Sequence, residues 1–98
     1  MTVHFESTGQ TFRDIWEAIE SNPIEAMNLR IRSNLMSAII DTVRGWGVTQ
    51  KEAAKRLGIT QPRLNLLLKG RFNEFSLDAL VELLKPAGLE LEFNVKAA

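Results

Sequence analysis

The sequence has no cysteine, no tyrosine and a single histidine, His4. Without thiols there is neither a disulfide framework nor a thiolate metal site, and one histidine cannot make a ligand cluster. No apolar run is long enough to cross a bilayer. The opening MTVHFESTGQ has neither the basic start nor the apolar stretch of a secretory signal, so the expected compartment is the cytoplasm. Internal repeats, low-complexity tracts and long linkers are missing as well. An excess of one charge is also lacking: 12 basic and 12 acidic residues cancel, which would argue against a nucleic-acid partner if they were evenly spread.

Catalysis lacks its parts. His4 has no neighbouring nucleophile to activate and reads as an exposed strand residue. The acids fall at capping positions, on helix faces or in an alternating tail, without acid–base pairing, and no glycine-rich phosphate loop occurs. The expectation is a protein that is not an enzyme and holds no metal and no cofactor.

What is present is 98 residues with 45% apolar content, enough for one small domain with a core, in which a dimer interface would help stability. The charges are also segregated. Between Arg44 and Arg71 stand seven basic residues (Arg44, Lys51, Lys55, Arg56, Arg63, Lys69 and Arg71) against one acid, Glu52, a local excess of six, while residues 1–43 and 72–98 each carry a net −3. Such a local excess is the footprint of a domain that displaces counterions from phosphates.

That basic segment contains TQKEAAKRLGITQPRLNLLLKG, residues 49–70. Thr49 and Glu52 have the spacing of a reciprocal capping box, so a helix is expected from about Gln50 to Leu57. Gly58 follows where the chain must turn left-handed, and Ile59 is an apolar plug between two helices. Thr60 caps the second helix and Pro62 sits in its first turn, where a missing N–H costs little. Ala54 must stay small for the helices to approach. Leu57, Ile59, Leu64 and Leu67 form the seam, leaving Gln61, Arg63, Asn65 and Lys69 on other faces. An ordinary helical hairpin in a bundle could use the same alanine, glycine and leucines, without accounting for the charge placement.

Gln50, Ala54, Gly58, Leu64 and Leu67 stand where the Cro and phage-repressor (XRE) family of helix-turn-helix domains places its glutamine, alanine, glycine and two aliphatic residues, and the segment resembles that family. The resemblance implies that the second helix enters the major groove of double-stranded DNA, with Gln61, Arg63 and Asn65 reading bases. A polar residue is common in the family where this chain has Leu66, which shifts base reading to those three. Gln50, Lys51, Arg56, Thr60, Lys69, Arg71 and Asn73 are the expected phosphate contacts. Asn73 equally suits a turn.

Upstream, Thr11 and Asp14 can cap a short helix carrying Phe12, Ile15, Trp16 and Ile19 on one stripe. Asn22, Pro23 and Glu25 then start a long helix, in which Ile24, Met27, Ile31, Leu35, Ile39, Val43 and Trp46 keep three- and four-residue steps up to the GWG stop at 45–47. Downstream, Ser76 caps a last helix with Phe75 and Leu80 as its hydrophobic staple, and Pro86 with Gly88 ends it. The fold class expected is mainly α: a five-helix repressor-like domain with an N-terminal helical extension over residues 1–33, a helix-turn-helix core over 34–88 and a short C-terminal strand within 89–98.

The tail LELEFNV, residues 89–95, alternates strictly, with Leu89, Leu91, Phe93 and Val95 on one face. A lone strand leaves its backbone groups unpaired. It can pair with VHFES at 3–7, with its mate in a second subunit or, in a dimer, with both, or it can pack on its own helices; the homodimer, which suits a palindromic operator, is the expected arrangement. With its helical extension and its ending FSLDALVELLKPAGLELEFNV, the chain is similar over about residues 24–95 to antitoxins of HigA type. That resemblance alone implies a repressor of its own operon that also holds a ribonuclease toxin inactive. A stand-alone XRE-type regulator and an interaction module that has lost DNA binding are the alternatives.

Overall fold

In the computed structural model, which describes residues 2–4 and 22–97, helix starts follow side-chain capping. Helix α1 spans Pro23–Gly45. The Asn22 side chain accepts the Glu25 amide at 3.2 Å, and the Glu25 carboxylate in return accepts from the Asn22 side-chain amide at 3.2 Å. Helices α2 (Gln50–Leu57) and α3 (Gln61–Leu68) each begin on a threonine whose hydroxyl accepts a backbone amide, Thr49 from Glu52 and Thr60 from Arg63. A 3-10 turn, Phe72–Glu74, leads into α4, Leu77–Leu84, capped by Ser76. The described residues thus hold four α-helices where five were expected, and the short helix proposed after Thr11 lies outside them.

Gly58 has φ +73°, and the amides of Gly58 and Ile59 donate to the carbonyls of Lys55 and Ala54. This is the two-bond closure that a left-handed residue makes possible at a helix end. A Cβ at Gly58 would meet no atom within 4 Å, so the demand for glycine there comes from the backbone conformation alone. The same closure ends α3, where Gly70 and Arg71 donate to Leu67 and Leu66.

The core runs from Leu35, Met36, Ile39 and Val43 of α1 through Ala53, Ala54 and Leu57 of α2 and Leu64 and Leu67 of α3 to Leu80, Leu83 and Leu84 of α4. Phe75 and Leu80, the staple pair, are fully buried. α1 packs chiefly on α4, while α2 and α3 pack on each other.

The apolar stripe expected along α1 holds for Leu35, Ile39 and Val43 but not at its start, where Ile24 is 83% and Met27 53% exposed and Ala26 and Leu29 are buried instead. Helix geometry accounts for this. Each four-residue step overshoots a full turn by about 40°, so a line drawn from Ile24 in such steps has wound roughly 100° around the helix by Val43. No break occurs between residues 33 and 34: one helix runs through the boundary drawn between extension and core.

The tail takes one of the pairings open to it. Its strand β2 covers only Glu90–Glu92 and pairs in parallel with β1, Thr2–His4, of the same chain, with Thr2 opposite Glu90 and His4 opposite Glu92. A bond from the Leu89 amide to the Leu84 carbonyl at 2.8 Å folds the chain back off α4 and drives Leu89 into the core at 5% exposure. Leu91 is half-buried against that core. Leu89 is therefore covered within one chain and does not form part of the free dimer face assigned to it, Leu91 is covered in part, and Phe93 and Val95, at 58% and 87% exposure, remain exposed.

Candidate nucleic-acid interface

The surface of interest is built where α2 and α3 begin. First-turn amides of a helix have no partner within the helix and carry the positive end of its dipole, which makes these starts suited to phosphate oxygens. Gln50 and Gln61 are the first residues of the two helices. Both are exposed, and with Pro62 and Asn65 they line one shallow open recess. Gln50 also borders a second recess with Val43, Arg44, Val48, Ala53, Leu64 and Leu68. Arg44, counted in the basic segment but not assigned to the site from sequence, thus stands beside the expected phosphate contact Gln50.

Gln61 and Asn65 are four residues apart on α3 and share a face. Their amide side chains offer the paired donor and acceptor that match an adenine edge. Thr60 is exposed, and its hydroxyl oxygen accepts the Arg63 amide at 3.3 Å, leaving the O–H able to donate outward. Lys51, Lys69, Arg71 and Asn73 are all exposed, Lys69 as the C-cap of α3 and Asn73 inside the 3-10 turn.

Two arginines are placed otherwise than the sequence suggested. Arg63 does not join Gln61 and Asn65. Its guanidinium lies 4.3 Å from the centre of the Phe75 ring, and it lines a recess with Leu57, Gly58, Ile59, Ala79, Glu82 and Leu83, behind α3. Two residues from Gln61 is about 200° around a helix, so helical spacing alone could have separated them. Arg56, though still exposed, also has partners within the chain: its Nε is 3.5 Å from Glu52 Oε1, and its guanidinium sits over the Trp46 ring at 5.2 Å. Glu52 consequently does not return a bond to Thr49, and the expected capping box is made in one direction only.

A further residue was not singled out at all. Arg32 of α1 donates from Nε to Asn28 Oδ1 at 2.7 Å and from Nη1 to the Phe72 carbonyl at 3.0 Å, with the Phe75 carbonyl at 3.4 Å. Its loop partners lie 40 residues or more along the chain, beyond the reach of any local pattern.

Among the described residues no helix is long and apolar enough to cross a membrane, and no group of three or more His, Asp or Glu side chains is arranged to hold a metal ion. A family model described as a helix-turn-helix domain matches residues 19–96, from before α1 to beyond β2. No curated protein matches the chain.

Proposed function

We propose, from the premise that this chain belongs to the helix-turn-helix domain family and is a DNA-binding regulator, that it represses transcription by reading an operator through α3 and serves as the antitoxin of its own operon. The observation that carries the DNA half is the convergence of Gln50, Gln61 and Asn65 on one exposed face at the starts of α2 and α3, inside the one strongly basic segment of the chain. Gln61 and Asn65 read base edges, each good bidentate contact giving about 1–3 kcal/mol of discrimination. Gln50, Lys51, Thr60, Lys69, Arg71 and Asn73 hold phosphates, and Arg44 joins them beside Gln50.

The operator is palindromic and the repressor a two-fold dimer. Since Leu89 is covered within the chain and Leu91 in part, the dimer contact falls chiefly on Phe93 and Val95. The antitoxin half, with autoregulation and a ribonuclease toxin as partner, rests on resemblance to HigA-type antitoxins and on no local feature.

Fluorescence anisotropy with a duplex from the chain's own upstream region and a scrambled duplex, over a range of salt, tests the reading. The expected result is tighter binding to the first, with affinity falling steeply as salt rises on both. Lys69→Ala and Arg71→Ala should weaken both duplexes alike and lower the salt slope by about one each. Equal, salt-independent affinity for the two duplexes would overturn it. Co-purification of the protein encoded next to it in the same transcript, and loss of that protein's toxicity on co-expression, tests the antitoxin assignment.

A further inference from the structure

The loop that follows α3 is held from the far side of the molecule. Residues 70–75 begin with the two amides that close α3 and continue with the Glu74 amide on the Arg71 carbonyl at 2.9 Å and the Phe75 amide on the Phe72 carbonyl at 3.2 Å. The Phe72 carbonyl therefore takes two donors, Phe75 N–H from within the turn and Arg32 Nη1 from α1. Arg32 is half-buried in doing so, and Asn28, one helical turn earlier on α1, fixes the orientation of its guanidinium through Nε. The Phe75 ring, whose carbonyl lies against the same guanidinium, is fully buried and carries Arg63 of α3 on its face. One chain of contacts thus runs from Asn28 through Arg32 and Phe75 to Arg63, linking the early part of α1 to the helix proposed to read DNA.

A planar fork of five N–H groups can meet an amide oxygen on one edge and carbonyls on another at the same time, which a lysine ammonium cannot do with fixed direction. The turn it holds carries Arg71 and Asn73, with Lys69 just ahead. We propose that Arg32 is a positioning residue for DNA binding: without touching DNA, it fixes the 70–75 loop against α1 so that Arg71 and Asn73 meet phosphates in register with α3. This inference rests on the DNA-binding reading above. It gives the early part of α1 a task that a mere extension of the domain would not have.

A double-mutant cycle distinguishes positioning from general support. Affinity for a random-sequence duplex is measured for the full chain and for Arg32→Gln, Arg71→Ala, Lys51→Ala and the two doubles combining Arg32→Gln with each, at a temperature where circular dichroism shows every variant folded. Arg32→Gln is expected to weaken binding about tenfold and lower the salt slope by about one, although Arg32 contacts no phosphate. Its effect should shrink to about twofold in the Arg71→Ala background and stay near tenfold with Lys51→Ala, a residue of α2 and not of the loop. Equal effects in both backgrounds, or an unchanged salt slope, would overturn the inference. Asn28→Ala removes only the contact that orients the guanidinium; if Arg32→Gln does not fold, the same background dependence at smaller amplitude in Asn28→Ala supports positioning, and additivity refutes it. If the unaltered chain shows no salt-dependent affinity for any duplex, the DNA-binding reading falls instead.

Discussion

Helices α2 and α3 are built alike and present opposite things. Each has eight residues, begins on a capping threonine with glutamine in first place, and closes on a left-handed glycine. In each the glutamine stays exposed at the start while an arginine further along is laid on an aromatic ring, Arg56 on Trp46 and Arg63 on Phe75. The difference lies underneath. α2 rests on Ala53, Ala54 and Leu57, two of them small, so α3 can come close; α3 rests on Leu64 and Leu67, both fully buried. α2 is the platform and α3 the helix it presents. Both arginines lie over aromatic rings, a cation–π placement, while the glutamines of the first turns stay exposed.

The comparison is broken most severely by removing what α3 rests on. Leu64→Ala should cost about 2–5 kcal/mol, because Leu64 is completely buried between the two helices and the cavity cannot collapse without moving α3. Urea denaturation monitored by circular dichroism reads the loss. A cost under about 1 kcal/mol would mean that α3 is held from elsewhere.

Next in size is the contrast between Gln61 and Arg63. Gln61→Ala should lose about 1–3 kcal/mol of discrimination between operator and scrambled duplex. Arg63→Ala should leave that ratio nearly unchanged and show its effect in stability, as the Phe75 ring loses its cover. The reverse pattern in binding titrations would return Arg63 to the bases.

The two caps give a smaller and sharper difference. Thr49→Ala and Thr60→Ala should each destabilise the fold by about 1 kcal/mol, as each strands one backbone amide. Only Thr60→Ala should also weaken DNA binding, because Thr60, and not Thr49, is among the phosphate contacts proposed above. Equal affinities for the two variants would remove Thr60 from the interface.

Smallest is Arg56→Ala. Its pair with Glu52 is exposed, with about half of each side chain in solvent, and such i,i+4 pairs contribute about 0.3–0.5 kcal/mol. Affinity for DNA should be unchanged, because the guanidinium is occupied on Trp46; a lowered salt slope would show that it swings out to a phosphate.

What could be read from sequence divides along the same lines. The bounds of α2, the start of α3, the left-handed turn at Gly58 and the staple of Phe75 with Leu80 were legible because their causes lie within four or five residues. The exposure of Gln50, Gln61 and Asn65 around one recess was legible for the same reason. Arg63 was misplaced because its partner ring belongs to a residue twelve positions later, and Arg32 was overlooked because its carbonyl acceptors belong to another turn of the fold. In the tail, alternation alone left both candidate partners open, since a strand's partner is a property of the whole topology. The exposure of Ile24 and Met27 shows that an apolar stripe read over five turns needs the true helical period.

The ribbon of β1 with β2 joins positions 2 and 90, nearly the greatest separation this chain offers. During synthesis residues 2–4 cannot pair until residues 90–92 have been made, with the four described helices lying between the two strands. The loop so closed costs only slowly more for being long, but three residues of parallel pairing return little. The ribbon should therefore be the last part of the molecule to form and the first to open, with its amide protons exchanging with solvent well before those of α3.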